Sequence, residues 1–202
     1  MDEGREANFS PNLYFDSSFD VDAAKILPGE YYVTKREMVL VTVLGSCVAA
    51  CIRDRVNGIG GMNHFMLPDI NRDLSDPTDP SARYGSYAME MMINQLLKIG
   101  AQRKNLEAKL FGGGSVLRGM ETINIGTQNA EFATQYLNIE GINIVSKDLL
   151  GNCSRKVYFF PSSGRVLVKK IHTMHNETIR EREKQYREKL RAADIQGDVE
   201  LF

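Results

Sequence analysis

VLGSCVAACIRDRVNGIGGMNHF, residues 43–65, decides how this chain folds and what it can do. It sets Cys47 directly after Gly45-Ser46, turns at Asn57-Gly58 and returns with His64. An Asn-Gly pair between two apolar runs is the strongest short-range hairpin signal, so the flanking strands are expected to be antiparallel. With a two-residue loop of Asn57-Gly58, His64 faces Cys51. With a four-residue loop of Arg55 to Gly58, His64 faces Ala49 and Cys47 becomes its diagonal neighbour, about 7–8 Å away between backbones. In both registers Cys47, Cys51 and His64 share one face, because side chains alternate with a period of two. The register arithmetic leaves open which cysteine meets the imidazole. Gly45-Ser46 favours Cys47, since a turn of small residues presents the next side chain and lets backbone N–H groups converge on an oxyanion. Cys51, inside VAACI, reads as core. A free thiol titrates near about 8.5, and a neighbouring imidazolium is the simplest way to populate the thiolate.

The bulk composition excludes several classes of function. The 202 residues carry a formal net charge of -1, so nothing advertises a nucleic acid or an anionic membrane surface as partner. The longest apolar run, residues 39–52, is interrupted by Thr42, Gly45 and Ser46 and is too short to cross a bilayer. MDEGREANF lacks the apolar segment of a secretory signal, so a cytoplasmic location without membrane insertion is expected. An odd count of cysteines in a reducing compartment predicts that Cys47, Cys51 and Cys153 are free thiols.

Along the chain, residues 1–28 show neither helical nor strand periodicity and read as a flexible N-terminal arm. The body, 29–173, opens with strand-like residues 31–44. A polar loop follows over 69–83, of a length often used for lids or docking. Apolar residues at helical spacing predict a helix over 84–99, and a second over 127–140. Strands are expected over 107–111 and 142–145, with a hairpin over 156–171 turning at Pro161 to Gly164. Residues 174–202 read as a mostly solvated terminal helix, its apolar stripe confined to Ile179, Tyr186 and Leu190, followed by the tail GDVELF.

The runs LGSCVAACIRD, GGMNHFMLPD, YGSYAMEMMINQLLKIGAQRKNLEAKLFGGG, IGTQNAEFATQYLNIEGI and RKVYFFPSSGRVLVKK, in that order, closely resemble the chemoreceptor glutamine deamidases, the CheD family. The resemblance spans roughly residues 30–171. It implies a layered α/β (α+β) fold, a mixed β sandwich flanked by helices and related to toxin-type cysteine deamidases. It also implies that Cys47 is the nucleophile and His64 its catalytic partner. The family uses a threonine just upstream of the GSC turn, at the position held here by Val41; the hydroxyl stands one residue later, at Thr42, which is carried over as the third catalytic residue. Ser46 offers a second hydroxyl for substrate binding. The implied partners are the helical cytoplasmic domains of chemoreceptors, whose glutamines call for an open groove, and a CheC-type phosphatase. No cofactor or metal is required.

Other readings compete. His172 and His175 share a helical spacing but lack a carboxylate motif for a metal site. Gly112 to Gly114 lacks the Gly-Lys-Ser/Thr ending of a phosphate loop and reads as close backbone packing. Arg165 reads as a solvated or salt-bridged residue and not as a substrate contact. A non-catalytic chemotaxis adaptor that keeps the hairpin for structure alone is the main alternative, and a cysteine hydrolase acting on another amide is a third.

Overall fold

The computed structural model describes residues 12–67, 80–115, 120–171 and 176–192. Within them lie the strands β1 (Asn12–Asp16), β2 (Val21–Lys25), β3 (Tyr31–Thr34), β4 (Val39–Leu44), β5 (Val48–Asp54), β6 (Ile59–Asn63), β7 (Leu106–Gly112), β8 (Asn143–Leu149), β9 (Ser154–Phe160) and β10 (Arg165–Ile171). The helices are α1 (Pro80–Lys98), α2 (Met120–Ile139) and α3 (Asn176–Ala192). The strands make two mixed sheets, one ordered β1-β2-β4-β9-β10 and the other β3-β6-β5-β7-β8.

The second sheet is covered on both faces, which explains why VAACI is continuously apolar instead of alternating. Val48, Ala50 and Ile52 point into one core with Met89, Met92 and Leu96 of α1 and Phe132, Ala133 and Leu137 of α2. Cys47, Ala49 and Cys51 point the other way, against Ala24, Ile26, Leu40, Leu44 and Phe159 of the first sheet. The result is a sheet–sheet–helix stack, the layered α+β architecture that the resemblance implied. Strand β4 alternates in the same manner. Leu40 and Leu44 enter the core between the sheets, whereas Val39 and Val41 pack on the outer face with Ala23, Phe19 and Tyr158. Thr42, between Val41 and Val43, therefore shares the inward side.

The register of the central hairpin is the four-residue one: Cys51 pairs with Met62 and Asp54 with Ile59. A separate bridge between Val48 and Phe65 continues the same count, so His64 stands opposite Ala49. The turn is organised by Asp54, which is fully buried. Its carboxylate accepts from the N–H of Val56 at 2.8 Å, the N–H and Nδ2 of Asn57 at 2.9 and 2.7 Å, and the N–H of Gln102 at 2.8 Å. Burial alone would push this carboxyl up, but the donors of Gln102, Asn57 and Val56 outweigh it and hold it below the usual carboxylate range. Gly58 closes the turn at φ 66°, a conformation that costs other residues strain.

The N-terminal segment differs from the sequence reading, and the C-terminal helix differs at one residue. Residues 12–25, expected within a flexible arm, form the β1–β2 hairpin, and β2 pairs in parallel with β4. Ala23, Ala24 and Ile26 are buried; alternation over five residues is too short a signal to stand out. Helix α3 is mostly solvated, as expected, with Ile179 of its apolar stripe buried; the departure is Glu183, a charged residue buried beside that stripe. Helices α1 and α2 begin earlier than their apolar periodicity indicated, at Pro80 and Met120. Most of the expected lid or docking loop, together with His172, His175 and the GDVELF tail, lies outside the described residues. Among the described residues no helix is long and apolar enough to cross a membrane.

Replacing Asp54 with alanine strands several N–H groups in a buried turn, at a cost of about 2–3 kcal/mol. For a chain of this size the melting temperature should fall by about 2–4 °C per kcal/mol. A calorimetric scan with an unchanged midpoint would remove Asp54 as the element that fixes the register.

Candidate active site

Residues 45–47 join β4, in the first sheet, to β5, in the second, and their backbone is held from behind at every carbonyl. The N–H of Gly114 donates to the Gly45 carbonyl at 2.7 Å, and the N–H of Gly113 to that of Cys47 at 2.8 Å. The Asn129 amide donates to the Ser46 carbonyl at 2.9 Å. This close approach needs the glycines: a Cβ on Gly112 would lie 2.2 Å from the Cys47 oxygen, and Gly112 itself has φ 114°. The expectation of close backbone packing at Gly112 to Gly114 is thus met in a specific way. With the carbonyls held on one side, the N–H groups of Gly45, Ser46 and Cys47 all face the other, where those of Gly45 and Cys47 share one acceptor oxygen and that of Ser46 reaches a second beside it. Both oxygens belong to the carboxylate of Glu183, from α3. Glu183 accepts from Gly45 N–H at 2.8 Å, Ser46 N–H at 3.0 Å, Cys47 N–H at 3.2 Å and the Ser46 hydroxyl at 2.7 Å. Three converging N–H groups beside a thiol have the form of an oxyanion hole.

His64 follows β6 and is clamped through its backbone, its N–H donating to Glu30 carbonyl at 2.9 Å and its carbonyl accepting from Gly29 N–H at 2.7 Å. Its Nδ1 lies 2.8 Å from the Thr42 hydroxyl oxygen. Thr42 has a single proton to donate, and the Ile26 carbonyl, 2.8 Å away, can only accept it. The Thr42 oxygen must therefore accept from Nδ1–H, which leaves Nε2 as the ring's basic nitrogen. Nε2 is buried and has no hydrogen-bond partner among the described residues. Ligating atoms of Cys47, His64 and Glu183 all lie within 4.8 Å of one another. The structure thus brings together Cys47, His64, Thr42 and Ser46.

The site is closed, whereas an open groove was expected. Cys47 is 0% and His64 2% exposed. Burial, then the charge and hydrogen bond of Glu183, push the Cys47 thiol well above its ordinary range. Burial pushes His64 down to about 4, although Glu183 acts in the opposite direction. Thiol and imidazole are therefore both neutral here at neutral pH. Cys51, also buried, is raised by desolvation in an apolar setting, as a core thiol should be. Cys153 is a third buried free thiol. Beside His64 opens a pocket of about 760 Å³, walled in part by Tyr31, Tyr84, Tyr87 and Tyr186.

Cys, His and Glu are zinc ligands by type. A tetrahedral zinc with bonds of 2.0–2.3 Å would draw its ligands to roughly 3.3–3.8 Å from one another. The carboxylate is already engaged by the 45–47 turn. Arg165 is exposed, as expected of a solvated residue, and stacks over the Phe160 ring at 4.3 Å.

Two functional contributors escaped the sequence reading. Asn129 holds the turn through its amide and accepts from Leu67 N–H at 2.8 Å; the signal was a polar residue beside Ala130 and Ala133 on the buried side of a helix. Glu183 sits four residues after Ile179 and three before Tyr186, a carboxylate in the middle of the only apolar stripe of α3.

Comparison with known proteins places the whole chain among its relatives. Residues 66–170 match the family described as CheD, chemotactic sensory transduction. A protein of Herminiimonas arsenicoxydans named "Probable chemoreceptor glutamine deamidase CheD" is 57% identical over 202 residues, covering 100% of both chains. A protein of the same name from Methylobacillus flagellatus is 60% identical over 198 residues, covering 98% of each.

Nitrogen NMR of His64 at neutral pH should show Nδ1 protonated and Nε2 bare. The opposite tautomer would contradict the Thr42 hydrogen-bond assignment.

Proposed function

We propose, for a chain that belongs to the CheD family, that it hydrolyses glutamine side-chain amides of chemoreceptors to glutamate, with Cys47 as nucleophile and His64 as acid–base partner. The observation that carries this reading is that three backbone N–H groups bind one carboxylate beside a thiol and an imidazole of fixed tautomer, with the ligating atoms of Cys47, His64 and Glu183 within 4.8 Å of one another. His64 Nε2 takes the Cys47 proton, and the thiolate attacks the amide carbon of the substrate glutamine. Charge gathers on the amide oxygen, which the N–H groups of Gly45, Ser46 and Cys47 stabilise. The C–N bond breaks as the imidazolium returns its proton to the nitrogen, and ammonia leaves a thioester on Cys47. Water, deprotonated by the same nitrogen, attacks the thioester; the thiolate departs and glutamate remains.

Thr42 acts through His64 as a positioning residue. It keeps Nδ1 as donor and so keeps Nε2 directed to the thiol. Ser46 adds a hydroxyl to the group that receives the substrate oxygen. The proposed substrate surface is a helical cytoplasmic domain of a chemoreceptor, and a CheC-type phosphatase belongs to the same reading as a binding partner, both supported by the family resemblance.

Mass spectrometry of receptor cytoplasmic domains incubated with the protein should show Gln-to-Glu conversion. Cys47→Ala and His64→Ala should both abolish it, while Cys51→Ala and Cys153→Ala retain most of it. Receptor binding without conversion by the unaltered protein would instead favour an adaptor role. Thr42→Val, nearly isosteric, should lower turnover by about one to two orders of magnitude with little change in KM, because a misplaced acid–base group loses mainly transition-state stabilisation. Equal turnover in that variant would remove the positioning role.

A further inference from the structure

Glu183 is a glutamate side chain, presented from a helix, with its carboxylate in the oxyanion hole of an enzyme whose proposed product is a glutamate side chain on a helix. We propose that α3 is an intramolecular product mimic, which closes the active site until a receptor helix displaces it. The inference rests on the function proposed above and adds a regulation to it.

Placing a carboxylate in a protein interior is costly unless the surroundings are built to receive it. Here they are. Glu183 is 4% exposed and accepts from the N–H groups of Gly45, Ser46 and Cys47 and from the Ser46 hydroxyl. These are the donors that would receive the amide oxygen in the reaction. The rest of α3 is poorly anchored by comparison: Glu181, Arg182, Lys184, Gln185, Glu188 and Lys189 are all exposed. Two neighbours of Glu183 on the stripe complete the seat. Ile179 lines a small cavity with Ile26 and His64. The Tyr186 ring lies where a Cβ on Gly29 would fall, at 2.8 Å from its Cε2, and its hydroxyl meets that of Tyr84. Among the described residues, α3 thus docks through a charge in the catalytic hole, the contacts of Ile179 and Tyr186 on either side of it, and Arg187, whose charge also acts on Cys47. A helix whose buried charge is held by the contacts that substrate needs is one that substrate can displace.

Closure also silences the chemistry. While Glu183 is in place, burial and its negative charge keep the Cys47 thiol protonated, and burial keeps His64 neutral. Displacement of α3 would admit solvent, which favours both the thiolate and the imidazolium, and would remove a charge that holds the thiol protonated.

The test uses the full-length chain with two substitutions. Glu183→Gln leaves the shape of the side chain intact and places an amide in the hole. Cys47 should attack that amide, expelling ammonia with its proton from His64, and water should hydrolyse the thioester to restore a glutamate at this position. Peptide mass spectrometry of the Glu183→Gln protein should find the restored glutamate, or the thioester joining this side chain to Cys47. When Cys47→Ala is added, the introduced amide should persist. An amide that persists in a Glu183→Gln protein still able to deamidate receptor would overturn the proposal.

Glu183→Ala should open the site. The rate of Cys47 alkylation by iodoacetamide, and kcat/KM on a receptor fragment, should each rise by about tenfold, as for a helix that closes roughly nine molecules in ten. Unchanged alkylation in a variant that melts cooperatively would refute closure by Glu183. Faster alkylation with no receptor deamidation by any form would keep the strap and reject the proposed reaction.

Discussion

Everything at this site depends on the direction of three peptide units. Residues 45–47 cross from one sheet to the other, and a crossing chain gives up its ladder partners. Its carbonyls are satisfied instead by Gly113, Gly114 and Asn129. A peptide whose carbonyl is held on one side directs its N–H to the other, so structural satisfaction of the backbone and construction of the anion hole are one event. A side chain on Gly112 would displace the Cys47 carbonyl and spoil both.

The imidazole is delivered by an independent route. The hairpin register, set by Asp54 and the Arg55 to Gly58 loop, puts His64 on the face of Cys47, and the turn before β3 clamps its backbone. Thr42 comes from the facing sheet and completes the chain of hydrogen bonds from the Ile26 carbonyl through the hydroxyl to Nδ1. The two sheets of the sandwich thus contribute separate parts of one proton path, and the packing of the core between them is what holds the distances.

Much of this was legible in the sequence. The Asn57-Gly58 turn and the period of a strand fixed the parity of Cys47 and His64, and Gly45-Ser46 pointed to Cys47. Register was open by two residues because the turn signal does not count loop length; the donors that gather on Asp54 decide it, one of them from Gln102, far along the chain. The choice between Val41 and Thr42 turned on strand facing, which only the alternation of Leu40 and Leu44 against Val39 and Val41 settles. The β1–β2 hairpin was hidden by its short, mixed alternation. Glu183 was hidden for a different reason: a charge on a charged helix looks solvated until the stripe around it is placed against the body.

The account's central claim is that Cys47 bears the reaction covalently, opposite a hole made by its own turn. Acid-quenching the protein during turnover of a receptor fragment, followed by peptide mass spectrometry, tests this most directly. The predicted result is a receptor peptide joined as a thioester to the peptide containing Cys47. A thioester on Cys51 or Cys153, or turnover with no cysteine adduct detectable under conditions that preserve thioesters, would contradict it.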